Sequence, residues 1–202
     1  TKLVGGVTPG RGGEKHLDLP VWASARDAAR DTKIEAAVMF IPPFGVKEAA
    51  LDAIATDTSV RVVVLAGAGR AFCAGHDLKE MRSHPDKAYQ QALFRKCGRM
   101  MLKLVELPQP VIARVHGMAV AAGCQLVAMC DLAVAADTVK FAVSGVNLGL
   151  FCSTPAVPLS RNLPRKQAFE MLVTGEFMDA QSALSRGLVN RVVPADQLDA
   201  GV

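Results

Sequence analysis

Four short runs of aliphatic residues, VRVVVLAG (60–67), PVIARVHG (110–117), DLAVAA (131–136) and VNRVVP (189–194), recur along the chain with helical patterns between them. Apolar runs of this length bounded by Gly or Pro read as buried strands, because a buried helix needs a longer stretch. The intervening segments predict helices over 87–107, 121–130, 155–163, 164–175 and 180–188, and KFAVSG (140–145) reads as one more strand. Strands and helices taken in turn are an α/β order. Upstream, KLVGGV, LPVW and IEAAVMFIP read as strands. Ser24 is placed to cap a helix running to about Arg30, Pro42-Pro43 ends the third strand, and FGVKEAALDAIA follows as a short amphipathic helix.

With 202 residues, half of them apolar, the chain can fill one full core, or one domain and part of another. Its net charge of +4 is spread along the chain without a long run of one sign, so neither nucleic acid nor a membrane surface is expected as a partner. The longest uncharged segment, Val115 to Cys130, is short for a bilayer span and is interrupted by Gly117, Gly123 and Gln125. The five cysteines show no metal-ligand spacing, which predicts reduced thiols and no metal. The opening TKLVGGVTPGRGG has neither a signal-peptide apolar region nor a transit-peptide helix, and a cytoplasmic location is expected.

Two strand-to-helix turns carry the candidate chemistry. In GRAFCAGHDLKEM (69–81) a strand ends, small residues turn sharply, and Asp77 can open a helix, leaving backbone N–H groups near Gly75 and His76 without helical partners. In VHGMAVAAGCQL (115–126) the trio Ala121-Ala122-Gly123 leads into a second helix whose first amides are likewise orphaned. Converging on one oxygen, such turns would make an oxyanion hole, in which one donor is typically worth roughly 3–4 kcal/mol in the transition state. Asp77 then reads as an N-cap, Cys73 as a buried thiol and the His76 ring as pocket lining.

From about Ala53 to Leu198 the sequence resembles the crotonase (enoyl-CoA hydratase/isomerase) superfamily. The segments that carry the likeness are IATDTSVRVVVLAGAGRAFCAGHDLKEM, PVIARVHGMAVAAGCQLVAMCDLAVAADTVKFAVSGVNLGL and VTGEFMDAQSALSRGLVNRVVP. The resemblance implies a spiral of ββα units of the ClpP/crotonase type and a site in which the amides of His76 and Ala122 hold the thioester carbonyl of an acyl-CoA. It places Ala71, Phe72 and Ala74 beside the adenine and pantetheine of CoA, with Lys79 a candidate for the phosphates. Coenzyme A would then arrive as part of the substrate, with no permanently bound cofactor. The two glutamates that transfer protons in hydratases of this family fall on Gln125 and Gly145, neither of which titrates. Asn147, Cys152 and Ser153 lie in the following loop, which the family sets beside the acyl chain.

Residues 1–52 resemble instead the middle of the CoA-binding domain of succinyl-CoA synthetase alpha subunits, through VGGVTPGRGG, HLDLPV and the strand ending in Pro42-Pro43. That likeness implies a partial Rossmann-like βαβα segment, with Arg11 where the family's CoA-contacting loop usually carries a lysine. The expected organisation is therefore a CoA-binding segment over 1–52 and a crotonase-like core over 53–202, truncated before the family's C-terminal helices. Crotonases are trimers or hexamers, and without those helices exposed apolar surface and altered association are expected. For a eukaryotic source the mitochondrial matrix is the alternative location.

Overall fold

The computed structural model describes residues 54–202 throughout, together with residues 6–7, 13, 15–16, 19–22, 31, 36–41 and 51. The helix expected over 24–30 lies outside the described residues, and of the one expected over 44–55 only Leu51 and residues 54–55, in a helical turn that runs to 56, are described.

Three short strands open the chain: β1 (Gly6–Val7), β2 (Lys15–His16) and β3 (Leu19–Trp22) form a sheet in the order β1-β3-β2, parallel for β1 with β3 and antiparallel for β2 with β3. Strand β4 (Ala36–Ile41) belongs to a different sheet. It runs parallel to β5 (Val62–Gly67) over six register pairs, from Ala36 opposite Val62 to Ile41 opposite Gly67.

Two sheets make the body. The first is wholly parallel and has the order β12-β9-β7-β5-β4, with β7 at Val111–Val115, β9 at Leu132–Ala136 and β12 at Arg191–Val193. Val63, Leu65, Val111, Ala113 and Val115, which share one face of the sheet, have no exposed surface, whereas Val62, Val64, Ile112 and Arg114 between them are half-buried. The second sheet has the order β11-β10-β8-β6, with β6 at Ala71–Cys73, β8 at Met118–Val120, β10 at Lys140–Ala142 and β11 at Met178–Asp179. The chain visits one sheet, steps to the other and then forms a helix, so each turn of the spiral is a ββα unit.

The helices follow this rhythm. After β6 come α1 (Leu78–Ser83) and α2 (Lys87–Glu106). Asp86 caps α2 through the Tyr89 amide, and the helix buries Cys97, Met100, Met101 and Leu104 on one face. It ends just ahead of Leu107-Pro108, where the proline ring disfavours helical geometry. After β8 comes α3 (Ala122–Met129). After β10 come a 3₁₀ turn (Ser144–Leu148), α4 (Ser153–Asn162) and α5 (Arg165–Thr174); α6 (Ala180–Arg186) and α7 (Leu198–Gly201) complete the chain.

One expected strand is corrected. KFAVSG pairs only as far as Ala142, and from Ser144 the backbone tightens into the 3₁₀ turn, closed by left-handed Gly149. The strand expected to end within GRAFCAGHDLKEM is β6, three residues long; β8 has no counterpart in the sequence reading, because a three-residue segment next to glycine carries too little pattern to register. Phe169, Val173 and Phe177 around α5, and Val157 on α4, are exposed apolar side chains.

Candidate functional site

The first turn begins where β6 ends. Cys73 is buried, and burial pushes its thiol above the ordinary range, opposed in part by a hydrogen bond from the Gly75 backbone. Gly75 has φ of +96°, a conformation in which a Cβ would be strained, and this reverses the chain so that the His76 amide follows directly on the turn. Asp77 then caps α1: its carboxylate accepts from the amides of Lys79 (2.8 Å) and Glu80 (3.2 Å). That carboxylate is committed to the helix. The His76 ring lies 5.0 Å from Phe94, and its pKa is lowered by burial, with Glu80 opposing the shift, so the imidazole is neutral at neutral pH.

The second turn is tighter. Ala121 stands at φ 51°, ψ −116°, among the described residues the one non-glycine with positive φ, in the region that the first central residue of a type II′ turn occupies. Its amide is held by the Ala142 carbonyl at 2.9 Å, which fixes the kink against β10. Ala122 is then the first residue of α3, whose N-terminus has no side-chain cap. Its N–H has no acceptor within the helix, and the aligned peptide dipoles of the helix give that end a partial positive charge. Gly123 seats this end on β6, since a Cβ there would lie 2.0 Å from the Cys73 carbonyl oxygen.

The two turns meet. A Cβ at Gly75 would lie 3.1 Å from the Ala121 methyl, 3.3 Å from the Val120 carbonyl and 3.4 Å from the Ala122 nitrogen. The residue before the His76 amide is thus in van der Waals reach of the Ala122 amide, and both N–H groups issue from one small-residue junction.

Around this junction the remaining sequence candidates are distributed unevenly. Gln125, one helical turn beyond Ala122, is 5% exposed, and its Oε1 is buried without a hydrogen-bond partner. Gly145 sits in the 3₁₀ turn with its carbonyl accepting from Leu150, and a Cβ there would come 2.4 Å from the Leu150 carbonyl and 2.6 Å from Cys152 Sγ. The position has no room for a carboxylate side chain. Cys124 is fully buried, and burial pushes its thiol up to about 12 with Cys152 as its electrostatic neighbour. Neither Cys124 nor Cys73 is a nucleophile at neutral pH. The Asn147 amide lies 3.1 Å from where a Cβ of Gly175 would sit, so it packs the 3₁₀ turn onto the end of α5. Ser153 opens α4, its amide bonded to the Phe151 carbonyl.

Of the residues expected beside CoA, Phe72 is 3% exposed and its side chain belongs to the core. It is the backbone of β6, an edge strand of its sheet, that presents open hydrogen-bonding groups beside half-buried Ala71 and exposed Ala74. Lys79 is exposed at the start of α1. Among the described residues there is no cluster of three or more metal-ligating side chains, and no helix is long and apolar enough to cross a membrane. Sequence reasoning missed the Ala121 kink and the thiol packed against Gly145. The small trio 121–123 hinted at the first; nothing in the linear pattern marked the second.

The enoyl-CoA hydratase/isomerase family model matches residues 47–201, and a CoA binding domain model matches residues 1–67. The chain is 51% identical over 144 residues to the mitochondrial enoyl-CoA hydratase domain-containing protein 3 of Xenopus laevis, across 71% of this chain and 49% of that relative. It is 36% identical over 147 residues to the 2,3-dehydroadipyl-CoA hydratase of Escherichia coli, across 72% of this chain and 56% of that relative. The chain thus spans about half the length of the curated relatives it matches. Among solved structures it superposes on an enoyl-CoA hydratase of Mycobacterium smegmatis with TM-score 0.75 and 57% identity, across 83% of this chain and 69% of that one. It superposes on human enoyl-CoA hydratase domain-containing protein 3 with TM-score 0.71 and 47% identity, across 75% of this chain and 61% of that one.

Proposed function

Because the chain belongs to the enoyl-CoA hydratase/isomerase family, we propose that it binds acyl-CoA thioesters and polarises the thioester carbonyl between the backbone amides of His76 and Ala122. The observation that carries this reading is the contact of the Gly75 turn with the first amide of α3. Two N–H donors aimed at one oxygen stabilise the negative charge that builds on a thioester carbonyl as it becomes an enolate, and the N-terminus of α3 adds its dipole. The Ala121 kink supports the assignment, since a strained residue held by its neighbours at such a junction is a common mark of a functional site.

CoA is then substrate and not a resident cofactor. The reading lays its pantetheine and adenine along the backbone of Ala71, Phe72 and Ala74, with the Lys79 ammonium as a cation for the phosphates. Proton transfer is the weak half of the chemistry. A carboxamide at Gln125 orients a water or a substrate oxygen but does not exchange protons, and Gly145 contributes no side chain. The expected enzyme is a poor or altered hydratase or isomerase. The packing of Leu150 and Cys152 against Gly145 favours a second reading as well, a CoA-thioester binding module without turnover.

Residues 1–52 are proposed as a separate CoA-binding segment joined to the core; the pairing of β4 with β5 supports a role for that segment in completing the parallel sheet. Exposed Phe169, Val173 and Phe177 support self-association, as in the family's oligomers. A reducing compartment, cytoplasm or mitochondrial matrix, suits five unpaired thiols.

The test is binding of carbonyl-labelled crotonyl-CoA, read by calorimetry and by the infrared stretch of the bound thioester, together with hydration followed by loss of the enoyl absorbance. The expected result is binding with a lowered carbonyl stretch and hydration roughly 10²–10⁴-fold below that of a two-glutamate relative. A bound carbonyl with an unshifted stretch overturns the amide-pair reading, and turnover at the relatives' rate overturns the expectation of weak proton transfer.

A further inference from the structure

Helix α1 follows directly on the His76 amide, yet none of its six residues is buried: Leu78 is 55% exposed, Met81 is half-buried and the rest are exposed. Isolated helices shorter than about 12–15 residues are marginal in water, so α1 depends on bonds to its surroundings. Those bonds come from the first turn of α2. The Gln90 carboxamide donates both its hydrogens, one to the Met81 carbonyl at 2.9 Å and one to the His84 carbonyl at 2.8 Å. The Tyr89 hydroxyl donates to the Glu80 carboxylate, and the Tyr89 ring stacks on His84 with centroids 4.3 Å apart. The base of this latch is firm, because α2 is anchored by Cys97, Met100, Met101 and Leu104 in the core.

The segment has a pivot at each end. Gly75, at φ +96°, precedes it, and the short link His84-Pro85-Asp86 joins it to α2. An element with little buried apolar surface and solvent-exposed hydrogen bonds opens at a fraction of the free energy of global unfolding. Rotation about Gly75 turns the peptide plane between Gly75 and His76. The His76 amide then leaves its place beside the Ala122 amide.

Resting on the acyl-CoA reading above, we infer that α1 is a strap latched by Gln90 and Tyr89, whose closed position holds the His76 amide in the pair and whose release takes one donor away from the thioester carbonyl. Gln90 and Tyr89 are then positioning residues, acting through the backbone of α1 and not on the substrate. A thioester that needs both amides binds the latched form and not the open one. By linkage the ligand holds the strap shut to the same degree that the strap holds the ligand.

The experiment is amide hydrogen exchange by NMR on the full chain, free and with crotonyl-CoA, in the unaltered protein, Gln90→Glu and Tyr89→Phe. The reporters are the amides of Lys79, Glu80, Met81 and His84, whose bonds to Asp77 and Glu80 exist only while α1 is formed. In the free protein they are expected to exchange at least tenfold faster than the amides of β7 in the core. Gln90→Glu keeps the shape and sets an acceptor against two carbonyls, and Tyr89→Phe removes the bond to Glu80; each should speed the reporters roughly tenfold and leave β7 unchanged. Crotonyl-CoA at about 100 times its Kd should slow them roughly hundredfold, because only the closed form binds. Reporters no faster than β7 overturn the inference, since α1 then opens only with the whole fold. Unchanged exchange in both variants overturns the latch. Crotonyl-CoA that binds without slowing the reporters overturns the strap while leaving the acyl-CoA reading in place. No binding of crotonyl-CoA sinks that reading, and the coupling of the strap to the site falls with it.

Discussion

At the two amide turns the backbone departs from the ordinary and the side chains stand aside: Gly75 has positive φ, Ala121 is forced into a glycine-like conformation, and the nearby Asp77 and Cys73 are occupied with capping and burial. A short way along, at Gln125 and Gly145, the backbone conforms to helix and 3₁₀ turn, and what stands out is the side chain: a carboxamide with an unpaired oxygen, and a glycine against which Cys152 is packed. On the proposed reading, the comparison teaches that holding a carbonyl and moving a proton are separable in this fold. The first needs only the course of the chain, which tolerates many side chains; the second needs particular groups, and here the space for one of them has been closed.

The largest effect that would sharpen this contrast is expected at Gly145. Adding a methyl there places it 2.4 Å from a backbone oxygen and 2.6 Å from a thiol, and only the thiol can swing away. Gly145→Ala is expected to lower stability by about 2–3 kcal/mol in urea denaturation, in the range of overpacking. Cys152→Ala in the same chain should return part of the loss and not all of it, because the Leu150 carbonyl remains, bonded through its own amide to Gly145. A cost below about 0.5 kcal/mol, the scale of an ordinary surface change, would mean that the turn yields readily and that a carboxylate could be accommodated after all.

Ala121 tests the other side of the comparison with the opposite sign. A non-glycine residue in a sparsely populated backbone region costs about 1–3 kcal/mol, whereas glycine loses roughly 0.5–1 kcal/mol more conformational entropy than alanine on folding. The strain is the larger quantity, so Ala121→Gly is expected to stabilise the protein by about 1 kcal/mol, measurable as a raised Tm. The same change loosens the amide that follows, so crotonyl-CoA affinity should fall severalfold while stability rises. If stability falls instead, the hydrogen bond to Ala142 and the packing on Gly75 do not impose the conformation, and the kink is no sign of function.

How much of this was legible in the sequence follows the same division. The aliphatic runs from Val62 to Gly67 and from Val111 to Val115 declared themselves, because short apolar runs rich in Val and Ile and bounded by Gly or Pro read as buried strands. Asp77 and the turn at Gly75 were readable too, since capping and positive φ select particular residue types. The strain at Ala121 was not, because alanine has no preference for that conformation and only Ala142, Gly75 and Gly123 in three dimensions impose it. Nor was the end of β10 at Ala142, where Val143 and the turn that follows keep an apolar pattern that cannot distinguish strand from 3₁₀. The contact of Cys152 with Gly145 spans a loop that linear spacing does not close.

The smallest expected effect belongs to the His76 side chain, as distinct from its amide. Burial holds the folded-state pKa below the ordinary 6.5, with Glu80 opposing the shift. As pH falls through the interval between the two values the unfolded chain takes up a proton that the folded ring still refuses, so the unfolded state binds more protons and stability declines toward the acid side. Above about 6.5 both states are neutral at this ring, and the slope from it vanishes. Urea denaturation between about pH 8 and pH 5 should show this shallow acid-side loss, and His76→Gln should flatten it. A ring that is only half-buried gives a small slope, and a proton NMR titration of the ring in the folded protein sets its position directly. A folded-state pKa above 6.5 would reverse the sign, place a cation beside the Gly75 turn, and move the ring from bystander into the electrostatics of the amide pair.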